Sequence, residues 1–138
     1  MKSIKEYKYL YLKNDYFNHK KHTRKRNDII YLKYSDGVEV CRIYLNNVPE
    51  FVEIQYDSLM ISEISKITWT KDTKAEGGIF VKSQANHICL NNILRRYGKD
   101  EIFKVKKLSD ETINETEKSE KRKEFIKKNP NANKSNPD

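Results

Sequence analysis

Two short spacings of histidine and cysteine are the first places in this sequence where side chains could do chemistry. His19 and His22 are separated by two lysines, a spacing that can supply two ligands of a zinc site. No cysteine or third histidine lies near them in the sequence, and their cationic neighbours would repel a metal ion, so we interpret them as surface residues. His87 and Cys89 would share one face of a strand, but a core cysteine beside a half-exposed histidine is far more common than a catalytic pair. The sequence thus predicts no metal site and no cofactor.

Four carboxylates are the next candidates, because a nuclease uses two or three of them with a lysine to bind Mg²⁺ and activate water. Asp36, Glu39, Glu53 and Asp57 lie in or beside predicted strands. Glu53 is not followed by the lysine that such sites use. Gly77-Gly78 is typical of a hairpin turn rather than of a phosphate-binding loop. We therefore predict that the chain is not an enzyme.

Positive charge is the strongest functional signal in the chain. The net charge is +8, and residues 1–34 carry 10 Lys and Arg against 3 Asp and Glu. Such clustering favours a polyanionic partner, either a nucleic acid or an acidic protein surface. The tyrosines and phenylalanines interleaved with these charges could also stack on bases. The residues predicted to bind the partner are Lys20, Lys21, Arg24, Lys25 and Arg26 near the N-terminus, and Arg95 and Arg96 on the outer face of a helix.

The elements that must position these residues are typical of an α+β fold. We predict an antiparallel β-meander sheet with two short helices packed on it, plus a charged C-terminal helix and tail. The Ser35-Asp36-Gly37 turn predicts a hairpin, and the alternation in residues 50–55 predicts a strand with one buried face. Strands are predicted at 29–34, 38–45, 50–55, 67–70, 79–82 and 101–106, with extended structure at 7–12. Helices are predicted from a cap at Asp57 or Ser58, over 88–97 with Gly98 as the stop, and over 112–128.

Composition sets the limits of this domain. We divide the chain into a basic N-terminal arm (1–28), an α+β core (29–108), and a charged helix with a disordered tail (109–138). Hydrophobic residues make up 36% and charged residues 35%, so the core must be small, and the C-terminal helix has too few apolar residues to belong to it. There is no run of about 18 apolar residues and no apolar leader, so we expect an intracellular protein of the host cytoplasm with two reduced cysteines.

The middle of the chain resembles the β-rich region that precedes the nuclease motif in phage-borne HNH homing endonucleases. The resemblance covers about residues 37–94. Its matching positions are Asp57, Leu59, Ile61, Ser65-Lys66-x-x-Trp69, Gly78-Ile79-Phe80 and Ile88-x-Leu90-x-x-Ile93-Leu94. Asn91 stands where that family usually has a histidine, and no histidine follows Leu94. The resemblance therefore implies a binding scaffold without the metal-binding H-N-H unit.

A small basic chain of this kind also looks like the type II anti-CRISPR proteins of phages. A chain with a net charge of +8 cannot imitate DNA by its charge, so it would have to clamp a domain of the effector or contact its RNA or DNA. The first hypothesis is therefore a non-catalytic inhibitor that docks on a nucleoprotein nuclease such as Cas9. The alternative is a DNA-binding module related to HNH homing endonucleases and without nuclease activity.

Overall fold

The computed structural model describes residues 3–11, 27–45, 48–72, 80–83, 88–110 and 115–128. Within these ranges the chain forms seven strands and three α-helices. They are β1 (Ile4–Tyr11), β2 (Ile29–Tyr34), β3 (Glu39–Tyr44), β4 (Glu50–Gln55), α1 (Ser58–Ile64), β5 (Trp69–Asp72), β6 (Phe80–Ser83), α2 (Leu90–Arg96), β7 (Phe103–Lys107) and α3 (Glu115–Lys128). None of the helices in the described ranges has both the length and the apolar character needed to cross a membrane.

Five strands form one antiparallel sheet in the order β1-β2-β3-β4-β7, and β5 pairs with β6 in a separate hairpin. The predicted α+β class and the meander are confirmed. The first predicted turn is present between β2 and β3, where the Gly37 N–H donates to the Tyr34 carbonyl at 2.9 Å. Gly37 has a φ of +90°, a conformation that residues with a Cβ rarely adopt. The Val38 N–H donates to Asp36 Oδ1 at 3.0 Å and fixes the exit from the turn.

One face of the sheet, which we call the helix face, carries the main core. Apolar side chains from β2, β3 and β4 pack there against α1, α2 and the β5–β6 hairpin. The helices contribute Met60, Ile61 and Ile64 from α1, and Leu90, Ile93 and Leu94 from α2. These positions recur at the three- and four-residue spacing of a helix with one apolar side. Asp57 caps α1 as predicted, accepting a hydrogen bond from the Met60 N–H at 3.0 Å.

The opposite face, which we call the tyrosine face, is also buried. Its cluster consists of Tyr7, Tyr9, Ile30, Leu32, Val40, Tyr44 and Phe51, with Phe125 of α3 packed against it. The prediction that β4 has a single buried face was wrong, because Phe51 is fully buried and Glu53 is 3% exposed. The sequence pattern missed this because Arg42, the residue that neutralises Glu53, lies on another strand.

Asn27 joins the hairpin to the main sheet. Its side-chain amide donates to the Tyr44 carbonyl at 2.9 Å and to the Trp69 carbonyl at 3.0 Å, and its Oδ1 accepts from the Trp69 N–H at 2.7 Å. One buried side chain therefore satisfies three buried backbone groups on β3 and β5. The Trp69 indole N–H donates to the Ile64 carbonyl at 2.9 Å, which ties the same strand to the end of α1.

The two ends of the chain compare differently with the predicted division into arm, core and tail. Residues 4–11, which were assigned to the basic arm, form β1 and pair with β2, because Tyr7 and Tyr9 can bury their rings against Leu32 and Ile30. The charged helix α3 contacts β1, and Lys121 Nζ lies 5.5 Å from the centroid of the Tyr7 ring. Within the described residues α3 contributes no buried side chain to the core, as predicted, and its half-buried Phe125 packs against the cluster of the tyrosine face. The predicted disordered tail lies outside the described residues.

Candidate anion-binding surface

Five of the seven predicted binding residues, Lys20, Lys21, Arg24, Lys25 and Arg26, lie outside the described residues. The described residues on either side of this stretch are neighbours, since Tyr11 of β1 is the register partner of Ile29 of β2. The end of β1 and the start of β2 therefore lie side by side at one end of the sheet. Lys107 lies at the same end, because it pairs with Glu50 at the start of β4. β1 and β7 are the two outer strands, so about 19 Å separates them, four spacings of about 4.8 Å.

The other two predicted residues, Arg95 and Arg96, lie exposed on the last turn of α2, as predicted. The buried residues of α2 face the core and turn both guanidinium groups outward. Gly98, with a φ of +67°, ends the helix at the predicted position. Arg96 donates to Glu63 Oε2 at 2.7 Å and lies over the Tyr97 ring, whereas Arg95 makes no side-chain hydrogen bond or ion pair within the described ranges. Arg95 is therefore the freer of the two to bind an anion.

Three lysines on β7 are basic residues that the sequence reasoning missed. Lys104 and Lys107 are exposed and Lys106 is half-buried. Within the described ranges their ammonium groups make no hydrogen bond and no ion pair. The alternation F-K-V-K-K, with lysine at every second position and one more at its end, was the signal that could have identified them. Unpaired cations on an outer strand are available to an anionic partner.

The four carboxylates considered for catalysis are all engaged in holding the fold. Asp36 accepts from a backbone N–H in the first turn, and Asp57 caps α1. Glu39 accepts a hydrogen bond from the Tyr31 hydroxyl. Glu53 is bound to Arg42. Each carboxylate therefore has a structural partner, and no group of three potential metal ligands occurs among the described residues.

Glu53 is the centre of a buried network on the tyrosine face. Its Oε2 accepts from Arg42 Nε at 3.1 Å and from the Tyr34 hydroxyl at 2.7 Å, and Arg42 Nη2 lies 3.3 Å from that hydroxyl. Arg42 is 4% exposed and its guanidinium lies 4.7 Å from the centroid of the Phe51 ring. Burial and the hydrogen bond to Glu53 raise the pKa of Tyr34, which keeps its hydroxyl a proton donor. This network has the character of a structural ion pair, and Arg42 Nη1 is buried without a hydrogen-bond partner within the described residues.

The two cysteines differ in their burial. Cys41 is fully buried between the sheet and its helices, and burial raises the pKa of its thiol well above the usual value. Cys89 is half-buried at the start of α2 and is a free thiol, as is Cys41. The predicted reduced state of both cysteines agrees with this. The partner considered for Cys89, His87, and the pair His19 and His22 lie outside the described residues.

Comparisons with models of known protein families, with curated proteins and with solved structures find no match to this chain. The structure does not bring the cations into one site: α2, which carries Arg95, packs on the helix face, whereas Lys104 and Lys106 of β7 lie on the tyrosine face. The four carboxylates considered for catalysis are all engaged within the fold.

Proposed function

We propose that this chain is a non-catalytic inhibitory binding protein that docks on a nucleoprotein nuclease, such as Cas9, and blocks cleavage of target DNA. The observation that carries the proposal is a difference between the cations and the carboxylates. Four cationic side chains have no anionic partner within the described ranges: Lys104, Lys106, Lys107 and Arg95. The carboxylates considered for catalysis all have a partner within the fold. The first group is free to bind an anionic partner, whereas the second is engaged in contacts within the fold. The identity of the target rests on the resemblance to anti-CRISPR proteins.

An inhibitor of this kind blocks its target sterically, so it needs a rigid fold and a surface that binds the target, and it needs no reactive groups. The five-stranded sheet, buried on both faces, supplies the rigid fold. The chain would act in the cytoplasm of the host cell, where such a nuclease binds its guide RNA.

The proposal is tested by adding the full chain to a Cas9–guide RNA complex and measuring cleavage of a target duplex. We expect cleavage to fall in proportion to the fraction of nuclease bound. Replacing Lys104 and Lys106 by Ala should weaken the inhibition. Lys71→Ala is the matched control, since this lysine is already held by Glu50 at 2.9 Å. Unchanged cleavage at saturating chain contradicts the proposed target, and Mg²⁺-dependent cleavage by the chain alone contradicts its non-catalytic character.

A second candidate is a DNA-binding module related to HNH homing endonucleases and lacking nuclease activity. It is favoured by Arg95, which lies unpaired on the helix that carries part of the resemblance. Salt dependence separates the two candidates. A DNA binder that makes six to ten phosphate contacts should lose about 10³- to 10⁵-fold in affinity for free duplex between 50 and 200 mM salt. An inhibitor docked on protein should hold the nuclease with much less loss.

A further inference from the structure

The two outer strands of the sheet differ in how well they could accept another strand. The pairing of β1 with β2 has register shifts between Ile4 and Glu6 and between Tyr9 and Tyr11. Such irregularities are a common way of protecting an edge from further pairing. β7 pairs with β4 over five residues without any shift, and no described strand lies on its other side. β7 is therefore the regular, open edge of the sheet.

The register shows which backbone groups of β7 point away from the sheet. The Leu108 N–H donates to the Pro49 carbonyl at 2.9 Å, so Leu108 faces β4. In an antiparallel ladder the facing residues alternate, which places Lys104 and Lys106 toward β4 as well. The N–H and C=O groups of Phe103, Val105 and Lys107 point outward. A strand added to β7 would bond to these three residues.

The side chains of β7 differ on its two faces. Lys104 and Lys106 lie on the tyrosine face, opposite Glu53 and Phe51. Phe103 and Val105 lie on the helix face and pack against the main core, each half-buried. A neighbouring strand would thus meet two cations on one face and the rim of an apolar core on the other.

A second copy of this chain fits the edge poorly. In a symmetric antiparallel pair of two β7 strands centred on Val105, Lys104 would stand directly opposite Lys106 of the second copy, twice. These are non-hydrogen-bonded positions, where side chains on adjacent strands come closest. Like charges directly opposite one another destabilise strand pairing. The lysines therefore disfavour self-association and select a strand of opposite charge.

We propose that the outer edge of β7 binds an extended acidic segment of a partner protein by strand addition. The segment would place acidic residues opposite Lys104 and Lys106, alternating with apolar residues that extend the core beside Phe103 and Val105. The inference deepens the proposed function, on which it rests for the partner, by assigning the contact to an acidic protein segment rather than to nucleic acid.

The test uses the full chain and two labelled peptides, Glu-Val-Glu-Val-Glu and Lys-Val-Lys-Val-Lys, with binding measured by fluorescence anisotropy and amide exchange by NMR. We expect the acidic peptide to bind at least about tenfold more tightly. It should protect the amides of Phe103, Val105 and Lys107, while those of Lys104 and Lys106 are already bonded to β4 and serve as an internal reference. Equal binding of the two peptides, or no new protection at millimolar acidic peptide, overturns the inference.

Two variants make the test specific. Val105→Pro removes a donor that points away from β4, so the sheet should stay folded while peptide binding falls at least about tenfold. The double variant Lys104→Glu with Lys106→Glu should reverse the preference between the peptides. Wild-type peptide affinity in Val105→Pro overturns the inference. If the peptide test fails while the chain still inhibits the nuclease, only the strand-addition inference is lost. Peptide binding without inhibition counts against the proposed function instead.

Discussion

Replacing Glu53 by Gln should cost this protein a large part of its stability. The substitution keeps the size of the side chain and an acceptor for the Tyr34 hydroxyl, but it removes the charge that neutralises Arg42. Both members of the ion pair are at most 4% exposed. Breaking a buried pair by removing one partner costs about 3–5 kcal/mol, because the remaining charge stays buried without compensation. A domain of this size has roughly 5–15 kcal/mol in all.

The measurement is urea unfolding followed by far-UV circular dichroism. With a denaturant slope of about 2 kcal/mol per molar, a loss of about 4 kcal/mol moves the midpoint down by about 2 M. The matched control is the double variant Arg42→Met with Glu53→Leu, which removes both charges. We expect it to lie within about 1 kcal/mol of the parent or above it, since apolar pairs of similar volume often replace buried ion pairs without loss. A loss below about 1 kcal/mol for Glu53→Gln alone would show that water reaches the pair and that the buried network does not hold the sheet.

Three further predictions follow from other contacts. Asn27→Ala should lower the free energy of unfolding by about 3 kcal/mol in the same urea assay, because three buried backbone groups lose their partner at about 1 kcal/mol each. Burial raises the pKa of the Cys41 thiol and keeps it protonated and covered. A thiolate-specific reagent should therefore label the half-buried Cys89 first and Cys41 only on unfolding. Arg95→Ala should weaken binding to an anionic partner, whereas Glu63→Gln should strengthen it by releasing the neighbouring arginine that it holds, both measured against salt concentration.

Local signals in the sequence were enough to predict the meander. The Asp36-Gly37 pair, the alternation in β4 and the cap at Asp57 each have a cause within a few residues of chain, and the structure has all three elements at these places. The β5–β6 hairpin is shifted by only one or two residues from its predicted position. Patterns of this kind depend on the period of side chains along one element, which a single sequence displays directly.

Contacts between distant residues were not visible in the same way. Asn27 falls within the stretch predicted as the basic N-terminal arm, yet it bonds to Trp69, 42 positions further on. Glu53 lies in a strand predicted to have one buried face, and only its register partner Arg42 explains why this carboxylate is buried as well. A single sequence gives the faces of a strand but not which strand lies beside it, so polar groups that are satisfied across strands are read as exposed. The same limit hid the lysines of β7, whose importance depends on β7 being an outer strand.

The buried pair and the open edge belong to one electrostatic arrangement. Glu53 stands directly opposite Lys104 on the tyrosine face, and in such a pair the carboxylate would ordinarily hold the lysine. Arg42 and Tyr34 bind Glu53 instead, so Lys104 keeps its charge free for a partner. The single variant Arg42→Met should let Glu53 pair with Lys104 and so weaken the binding of an acidic segment to β7. The double variant Arg42→Met with Glu53→Leu should bind the acidic segment as tightly as the parent chain. The two variants therefore separate the role of the Arg42–Glu53 ion pair in stability from its role in recognition.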